Sequence, residues 1–290
     1  MIDLHLHSTA SDGTLTPREL VETARAAGLT AVALTDHDTL AGIPEFLAAG
    51  NGAAPETIPG VELSTRFEDR ELHIVGLFLD PASPELAAFL EAQRRERRER
   101  GERMRQRLTR LGYPISQAEL DDCCRGAVPG RPHFARILVA RYGFADNVEA
   151  FEKLLRHGAP GYVPRRLPDP AAAIAAIHAA GGVAVWAHPV YRQRRETAWL
   201  RRVLNRLVPE PVGLDAIEGY YSLFGPEETK LVTGLAAAYG LALSGGSDFH
   251  GANTPKLHIG TGGGKMAVPD ELLPELKRKR DLRRAESARS

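Results

Sequence analysis

Met1-Ile2-Asp3-Leu4-His5-Leu6-His7 opens the chain. Read with a period of two, Ile2, Leu4 and Leu6 fall on one side of a strand, and Asp3, His5 and His7 on the other. The two imidazoles then stand about 6–7 Å apart on one face. Such a face is an odd way to build a core and a good way to build half a metal site, since neutral imidazole nitrogens suit Zn, Mn and Fe. A His-x-His pair alone arises by chance in many chains. Here the same i, i+2 geometry returns near the other end, at Asp248-Phe249-His250, with further acids and histidines between them at the ends of apolar runs.

With 290 residues the chain is long enough for one large core, or for one core with an inserted subdomain. Hydrophobic residues at 43% and charged residues at 26% describe an ordinary soluble globular protein. A formal net charge of zero leaves nucleic-acid binding to local patches at most. The cysteines are the neighbours Cys123 and Cys124, which excludes a disulfide framework and a thiolate zinc site and fits a reducing cytosol. A cytoplasmic location is expected, with no membrane association and no obligate protein partner. The longest apolar stretch, Ala171 to Ala187, carries His178 and is split by Gly181-Gly182, so it reads as a helix followed by a strand. Cleavage of a leader is not expected either, because it would remove His5 and His7.

Outward from the first strand, the polar loop Ser8 to Gly13 leads to a helix opened by Thr16-Pro17-Arg18-Glu19, a capping-box pair with proline at the first helical position. Gly28 stops it. Strands follow at Thr30 to Thr35, ending on Asp36-His37-Asp38, at Ile58 to Leu63 with Glu62, and at Glu71 to Leu79 with His73. After residue 83 the strand pattern ceases and residues 84–163 read as an all-helical insertion, beginning with a long helix whose middle is Arg94-Arg95-Glu96-Arg97-Arg98-Glu99-Arg100. The Glu partners at i+3 and i+4 favour a solvated, self-paired face over a nucleic-acid patch. Alternation resumes with a helix at Asp169 to Ala180, the strand Val183 to Ala187 leading into His188-Pro189, the strand Leu214 to Glu218, a helix from Pro226, and the strand Leu241 to Gly245 before Ser247-Asp248-Phe249-His250. The basic tail from Leu276 to Ser290 reads as a fraying helix or a disordered end. The expectation is an α/β fold in two segments, 1–83 and 164–290, closed into a parallel barrel with the ionisable residues at one rim.

Those residues are His5, His7, Asp12, His37, Glu62, His73, His188, Asp248 and His250. All are nitrogen or hard-oxygen donors, which favours Mn, Fe or Zn with open coordination positions. Nine donors exceed one metal, and a carboxylate such as Glu62 can bridge two. Multinuclear sites of this kind generate hydroxide near neutral pH and stabilise both oxygens of a phosphoryl displacement. Asp36, next to a ligand, fits an outer role in orienting an imidazole, or a helix cap.

His5-Leu6-His7-Ser8, the Ser11 to Pro17 loop, Thr35-Asp36-His37-Asp38, Gly60-Val61-Glu62, His73-Ile74-Val75-Gly76, Ala187-His188-Pro189 and Gly246 to His250 resemble the polymerase-and-histidinol-phosphatase (PHP) superfamily over nearly the whole chain. The Ser-Asp-Gly loop and Gly130-Arg131-Pro132-His133 in the insertion resemble its nucleoside 3′,5′-bisphosphate phosphatase branch, some members of which trim short RNA from the 5′ end. The resemblance implies a distorted (β/α)₇ TIM-like barrel with three divalent metals, Mn²⁺ first, with Zn²⁺ or Fe²⁺ as alternatives. His5, His7, Glu62 and Asp248 would hold the first, Asp12, His37 and His250 the second, and Glu62, His73 and His188 the third. A metal-bridging hydroxide would be the nucleophile. Histidinol phosphatases of the superfamily tend to carry a histidine at the place of Asp12. Where the branch often has Gly-Lys-Pro, this chain has Gly158-Ala159-Pro160, leaving Arg156 or Arg165 as a replacement cation.

The function expected is a phosphoesterase acting on a small nucleotide or short RNA. Arg131, at a helix N-terminus, would grip a phosphate, with His133 and His258 as further substrate contacts. Alternatives are a phosphatase for another ester such as histidinol phosphate, an amidohydrolase-type C–N hydrolase, and a vestigial scaffold module. A complete donor set argues against the scaffold.

Overall fold

Seven strands run in chain order around one sheet of the computed structural model, which describes residues 1–52, 54–190 and 196–287. They are β1 (Ile2–Leu6), β2 (Ala31–Leu34), β3 (Glu56–Phe67), β4 (Arg70–Leu77), β5 (Val183–Ala187), β6 (Ala216–Tyr221) and β7 (Ala242–Gly246). Beyond β7 the Asp248 amide donates to the His5 carbonyl at 3.0 Å, and the His7 amide to the Phe249 carbonyl at 3.1 Å. These bonds close the sheet into a distorted barrel.

One strand departs from the expected parallel order. β4 is antiparallel to both β3 and β5, whereas the other neighbours are parallel. Only Glu68 and Asp69 separate β3 from β4, and a two-residue connection makes a hairpin because a parallel crossover needs a dozen residues or more. His73 therefore reaches the rim from the beginning of its strand. β3 is longer than the sequence pattern indicates, and the paired ends of β3 and β4 extend past the rim.

The helices α1 (Pro17–Ala26), α2 (Ile43–Gly50), α7 (Pro170–Ala179), α8 (Thr197–Leu207) and α9 (Pro226–Tyr239) surround the barrel. α1 shows the local cause clearly: Thr16 Oγ1 accepts from the Glu19 amide and Glu19 returns a carboxylate to the Thr16 amide. Its buried residues Leu20, Val21 and Ala24 recur at helical spacing and pack with Val32 and Leu34 of β2 and Phe46 of α2. Ile174 and Ile177 of α7 and Trp199 and Val203 of α8 likewise cover Val61, Ile74 and Trp186. The alternate strand residues Ala33, Ile58, Val75, Val185 and Ala216 form a separate apolar cluster, as period two requires.

Between β4 and β5 lie α3 (Pro84–Arg110), α4 (Gln117–Cys124), α5 (Arg131–Tyr142) and α6 (Asn147–Ala150), the last running into a wider helical turn at Phe151–Leu155. These helices gather their own core around Met104, Leu108, Leu120, Phe134, Leu138 and Leu155. Leu86 and Leu90 of α3 instead join the barrel's helical layer. The arginine run is not uniformly solvated, contrary to the expectation. Arg97 and Arg100 turn inward, to Asp38 and the Val163 carbonyl, while Arg98 and Arg103 pair with Glu91 and Glu96 seven residues away. A 27-residue helix lying over a barrel cannot leave every face wet.

The tail corrects a second expectation. It forms α10 (Leu272–Ser287), with Leu276 fully buried and Arg283 bonded to Asp215 at 2.8 Å. Among the described residues, no helix is long and apolar enough to cross a membrane.

Candidate metal centre

At the rim the nine donors converge, though no pair of the contributing segments is local in sequence except His5-x-His7 and Asp248-x-His250. Glu62 is the centre, 1% exposed. Its Oε2 lies 3.5 Å from His5 Nε2, 3.3 Å from His7 Nε2 and 2.9 Å from His37 Nδ1. Its Oε1 lies 2.6 Å from His73 Nδ1 and 3.0 Å from His188 Nε2. Asp248 Oδ1 approaches His7 Nε2 at 3.2 Å, and Asp12 Oδ1 approaches His250 Nε2 at 3.3 Å.

Three sets of donor atoms are close enough to share an ion: His5, His7, Glu62 and Asp248; His7, Asp12, His37 and His250; and His37, Glu62 and His73. A divalent cation fits them by an independent sign. His5 Nε2, both nitrogens of His7, His37 Nδ1 and Glu62 Oε2 are buried without a hydrogen-bond partner. Buried polar atoms are nearly always satisfied, so five orphans within one cluster of donors call for cations.

Electrostatics agree. Burial would raise the carboxyls of Asp12, Glu62 and Asp248, yet the surrounding imidazoles more than offset it and hold all three well below the usual range. Burial lowers His73 and His250, but Glu62 and Glu71 beside the one and Asp12 and Asp248 beside the other push both up to about 10. In the bare chain, protons take the place that cations would fill.

Outer groups hold these donors. Glu218 Oε1 lies 3.0 Å from His5 Nδ1, and its Oε2 accepts from the His188 amide at 2.7 Å. The Tyr221 hydroxyl donates to Asp248 Oδ2 at 2.9 Å. Asp36 does not orient an imidazole: its carboxylate accepts from the Ser8 amide, Ser8 Oγ and Ser11 Oγ at 2.5–2.7 Å, fixing the loop that presents Asp12. Glu218 carried the same signal as the other candidates, an acid at a strand end, but Tyr221 had none. Asp3, on the same strand face as His5 and His7 but not among the candidate donors, is wholly buried and accepts from the Ser247 and Gly260 amides at 2.9 and 2.7 Å.

With this geometry in place, relatives can be compared. Residues 3–151 match the PHP domain. A 5′-3′ exoribonuclease of Haemophilus influenzae is 38% identical over 248 residues, covering 86% of this chain and 89% of that protein. The chain belongs to the PHP-domain family. A 3′,5′-nucleoside bisphosphate phosphatase of Chromobacterium violaceum is 36% identical to this PHP chain over 281 residues, covering 94% and 93% of the two. A solved metal-dependent phosphoesterase of Bifidobacterium adolescentis superposes with a TM-score of 0.85 at 31% identity, over 96% of both chains.

Beside the PHP metal centre, between the rim and the inserted helices, lies a cleft of about 210 Å³ bounded by Asp12, His37, His73, Arg131 and Tyr162. Among the described residues, four guanidiniums line it. Asp38 holds Arg97 at 2.5 Å and Arg165 at 2.9 Å, and Val163 O holds Arg100 at 2.8 Å. Arg131 lies 5.8 Å and 5.9 Å from the ring centres of Phe151 and Tyr162, and among the described residues no carboxylate pairs with it. Burial would raise Asp38, but Arg97 and Arg165 outweigh it and keep its carboxyl below the ordinary value.

The remaining candidates fall elsewhere. His133 is 2% exposed and its Nδ1 accepts from the Gly130 amide at 3.0 Å, so one nitrogen caps α5 instead of meeting a ligand. Burial pushes its pKa down to about 4, leaving a neutral ring with its hydrogen on Nε2. His258 is exposed in a turn closed by its backbone bonds to Gly262, outside the metal-holding groups. Arg156 is an exposed partner of Glu152 and takes no part in the cleft, whereas Arg165 lines it.

Proposed function

We propose that the protein hydrolyses the bond between O3′ and phosphorus in nucleoside 3′,5′-bisphosphates and in short 5′-phosphorylated oligoribonucleotides. Three divalent cations would serve, Mn²⁺ first, held by His5, His7, Glu62 and Asp248, by Asp12, His37 and His250, and by Glu62, His73 and His188. When bound, such ions lower the pKa of water and offset charge on phosphoryl oxygens. The chain's own residues do the rest. Glu218 and Tyr221 orient His5 and Asp248, Asp36 fixes the Asp12 loop, and the inserted helices of residues 84–163 form a substrate-binding lid over the rim.

The observation that carries this reading is Arg131. It is the one cleft guanidinium, among the described residues, with no protein oxygen to hold it, and it lies at the start of α5, a helix end that favours negative charge. A guanidinium beside a helix N-terminus matches a phosphate that is gripped and not cleaved. Binding energy at that remote phosphate positions the scissile one. The two relatives differ in name but fit one chemistry, because both substrates present a nucleoside with a 5′-phosphate and a phosphorus on O3′.

The test is phosphate or nucleotide release from nucleoside 3′-, 5′- and 3′,5′-phosphates, histidinol phosphate and short RNA, with and without chelator. Preference for the bisphosphate and RNA, lost on chelation and restored by Mn²⁺, is expected. Equal kcat/KM for adenosine 3′,5′-bisphosphate and a generic aryl phosphate would remove the nucleotide reading, and full activity in the metal-free protein would remove the metal.

A further inference from the structure

A cavity larger than the cleft of Arg131 lies near the Asp12 loop. A pocket of about 520 Å³ opens on the other side of the Ser11-Asp12-Gly13 loop, between that loop and the helices α4 and α5. Its volume lies within the roughly 300–1,000 Å³ of small-molecule sites. Among the described residues, the pocket and the cleft share no lining residue. A third space of about 30 Å³ borders both, a narrow neck that shares Asp12, His37, Arg97 and Gly130 with the cleft lining and Ser11 and His133 with the pocket lining. Two of the metal-site donors, Asp12 and His37, thus line the space that borders both cavities.

We infer that this pocket receives the nucleotide on the 3′ side of the scissile phosphate when the substrate is an oligoribonucleotide. The inference rests on the proposed hydrolysis of the O3′–P bond. Water adds its hydroxyl to phosphorus, that bond breaks, and O3′ takes the proton. The first nucleotide leaves as a 5′-monophosphate with a free 3′-hydroxyl, and the shortened chain keeps a 5′-phosphate. A bisphosphate carries nothing beyond the scissile phosphorus and needs only the cleft. An oligoribonucleotide carries a further nucleotide there, which must leave the metal centre on the side away from Arg131.

The pocket's walls suit that ligand. Ile137 and Cys124 are buried and offer apolar surface to a base. Arg136 lines the wall with its Nη2 donating to the Cys123 carbonyl at 3.3 Å, and Arg125 stands exposed at the mouth with no ion pair among the described residues. His133 presents a neutral ring at the neck, with Nδ1 committed to Gly130 and Nε2 left to donate. Of the acids in the wall, Glu119 is paired with Arg141 at 2.5 Å, and Asp122 is exposed.

The test compares adenosine 3′,5′-bisphosphate with 5′-phosphorylated tetra-adenylate in two variants of the full chain. Ala140 is exposed on α5 at the pocket's edge, so Ala140→Trp narrows the pocket from the surface. It is expected to lower kcat/KM on the oligoribonucleotide by about tenfold or more. On the bisphosphate kcat/KM should stay within about twofold. Arg125 has φ 49, a conformation asparagine also adopts, so Arg125→Asn removes only the charge and serves if the tryptophan variant fails to fold. It should raise KM for the oligoribonucleotide severalfold at low salt and leave the bisphosphate unchanged. Equal losses on both substrates, or an oligoribonucleotide rate unchanged in both variants, overturn the inference. A wild-type protein that cleaves the bisphosphate and leaves the oligoribonucleotide intact overturns it while sparing the phosphatase reading. One that cleaves neither overturns both.

Discussion

At the first turn of α5, Arg131 has aromatic neighbours and no carboxylate within ion-pair distance. Arg131→Ala is expected to reduce kcat/KM on adenosine 3′,5′-bisphosphate by roughly 2–3 kcal/mol, the scale of a lost charge-assisted hydrogen bond. Adenosine 3′-phosphate, which lacks the gripped phosphate, should hardly respond, and equal losses on both would reassign the arginine to the fold. Glu218 acts through another residue. It lies 3.0 Å from His5 Nδ1 and is 3% exposed, which fixes the ring so that Nε2 faces Glu62 and Asp248. Glu218→Gln should weaken metal binding by about 10–100-fold, as removal of an outer partner of a metal-bound histidine does. Titration calorimetry of the apoprotein with Mn²⁺ reads this directly, and unchanged affinity would show that the contact is incidental.

At the scale of elements, α3 is fastened to the barrel by a buried charge. Asp38 is fully buried in a left-handed conformation at φ 51, directly after His37, and receives Arg97 from α3 and Arg165 from the segment returning to the barrel. Arg165 also donates to Gln93 of α3 at 3.1 Å. Removing one partner of such a group leaves charges buried and unpaired, at a cost of about 3–5 kcal/mol. Asp38→Ala should therefore lower stability by that order, measured by urea denaturation. Replacing Asp38, Arg97 and Arg165 together by apolar residues should cost less than Asp38→Ala alone. A triple variant weaker than the single one would mean that the ion group is net stabilising and not chiefly a device for docking α3 in one position.

Across the whole molecule, the C-terminal helix ties the barrel's last elements to its middle. Asp215, 2% exposed, takes Arg283 of α10 at 2.8 Å, His178 of α7 at 2.8 Å and the Ala184 amide at 2.9 Å. Arg284 donates to the Phe78 carbonyl at 3.0 Å. Burial alone would raise the Asp215 carboxyl, but His178, the Ala184 amide and Arg283 together hold it below the ordinary value. A carboxyl whose folded pKa is depressed contributes stability above its unfolded pKa of about 3.9, and loses that contribution as pH falls through the folded pKa. Asp215→Asn should thus destabilise the protein by about 1–3 kcal/mol near pH 7. Its deficit against the wild type should shrink as the pH drops below about 4. A deficit independent of pH would assign the effect to packing instead of charge.

What the sequence determined by itself were the features written in local order. The period-two face of β1, the i, i+2 pair Asp248 and His250, the capping box at Thr16 and Glu19, and nine hard or imidazole donors placed near strand ends were enough to specify an α/β barrel and a metal rim. The resemblance assigned the donors to ions, and His5, His7, Glu62 and Asp248 do come together as one group. Tertiary structure decided the rest. The antiparallel sense of β4 follows from a turn too short for a crossover, although the strand's own apolar pattern is the same in either direction. Asp36, Glu218 and Tyr221 acquired their partners only when chain segments 25 residues or more apart met, as did the inward turn of Arg97 and the docking of α10. A carboxylate or guanidinium carries no mark in sequence of the partner it will find. Its role is set by which oppositely charged or unsatisfied group the fold brings within about 3 Å of it.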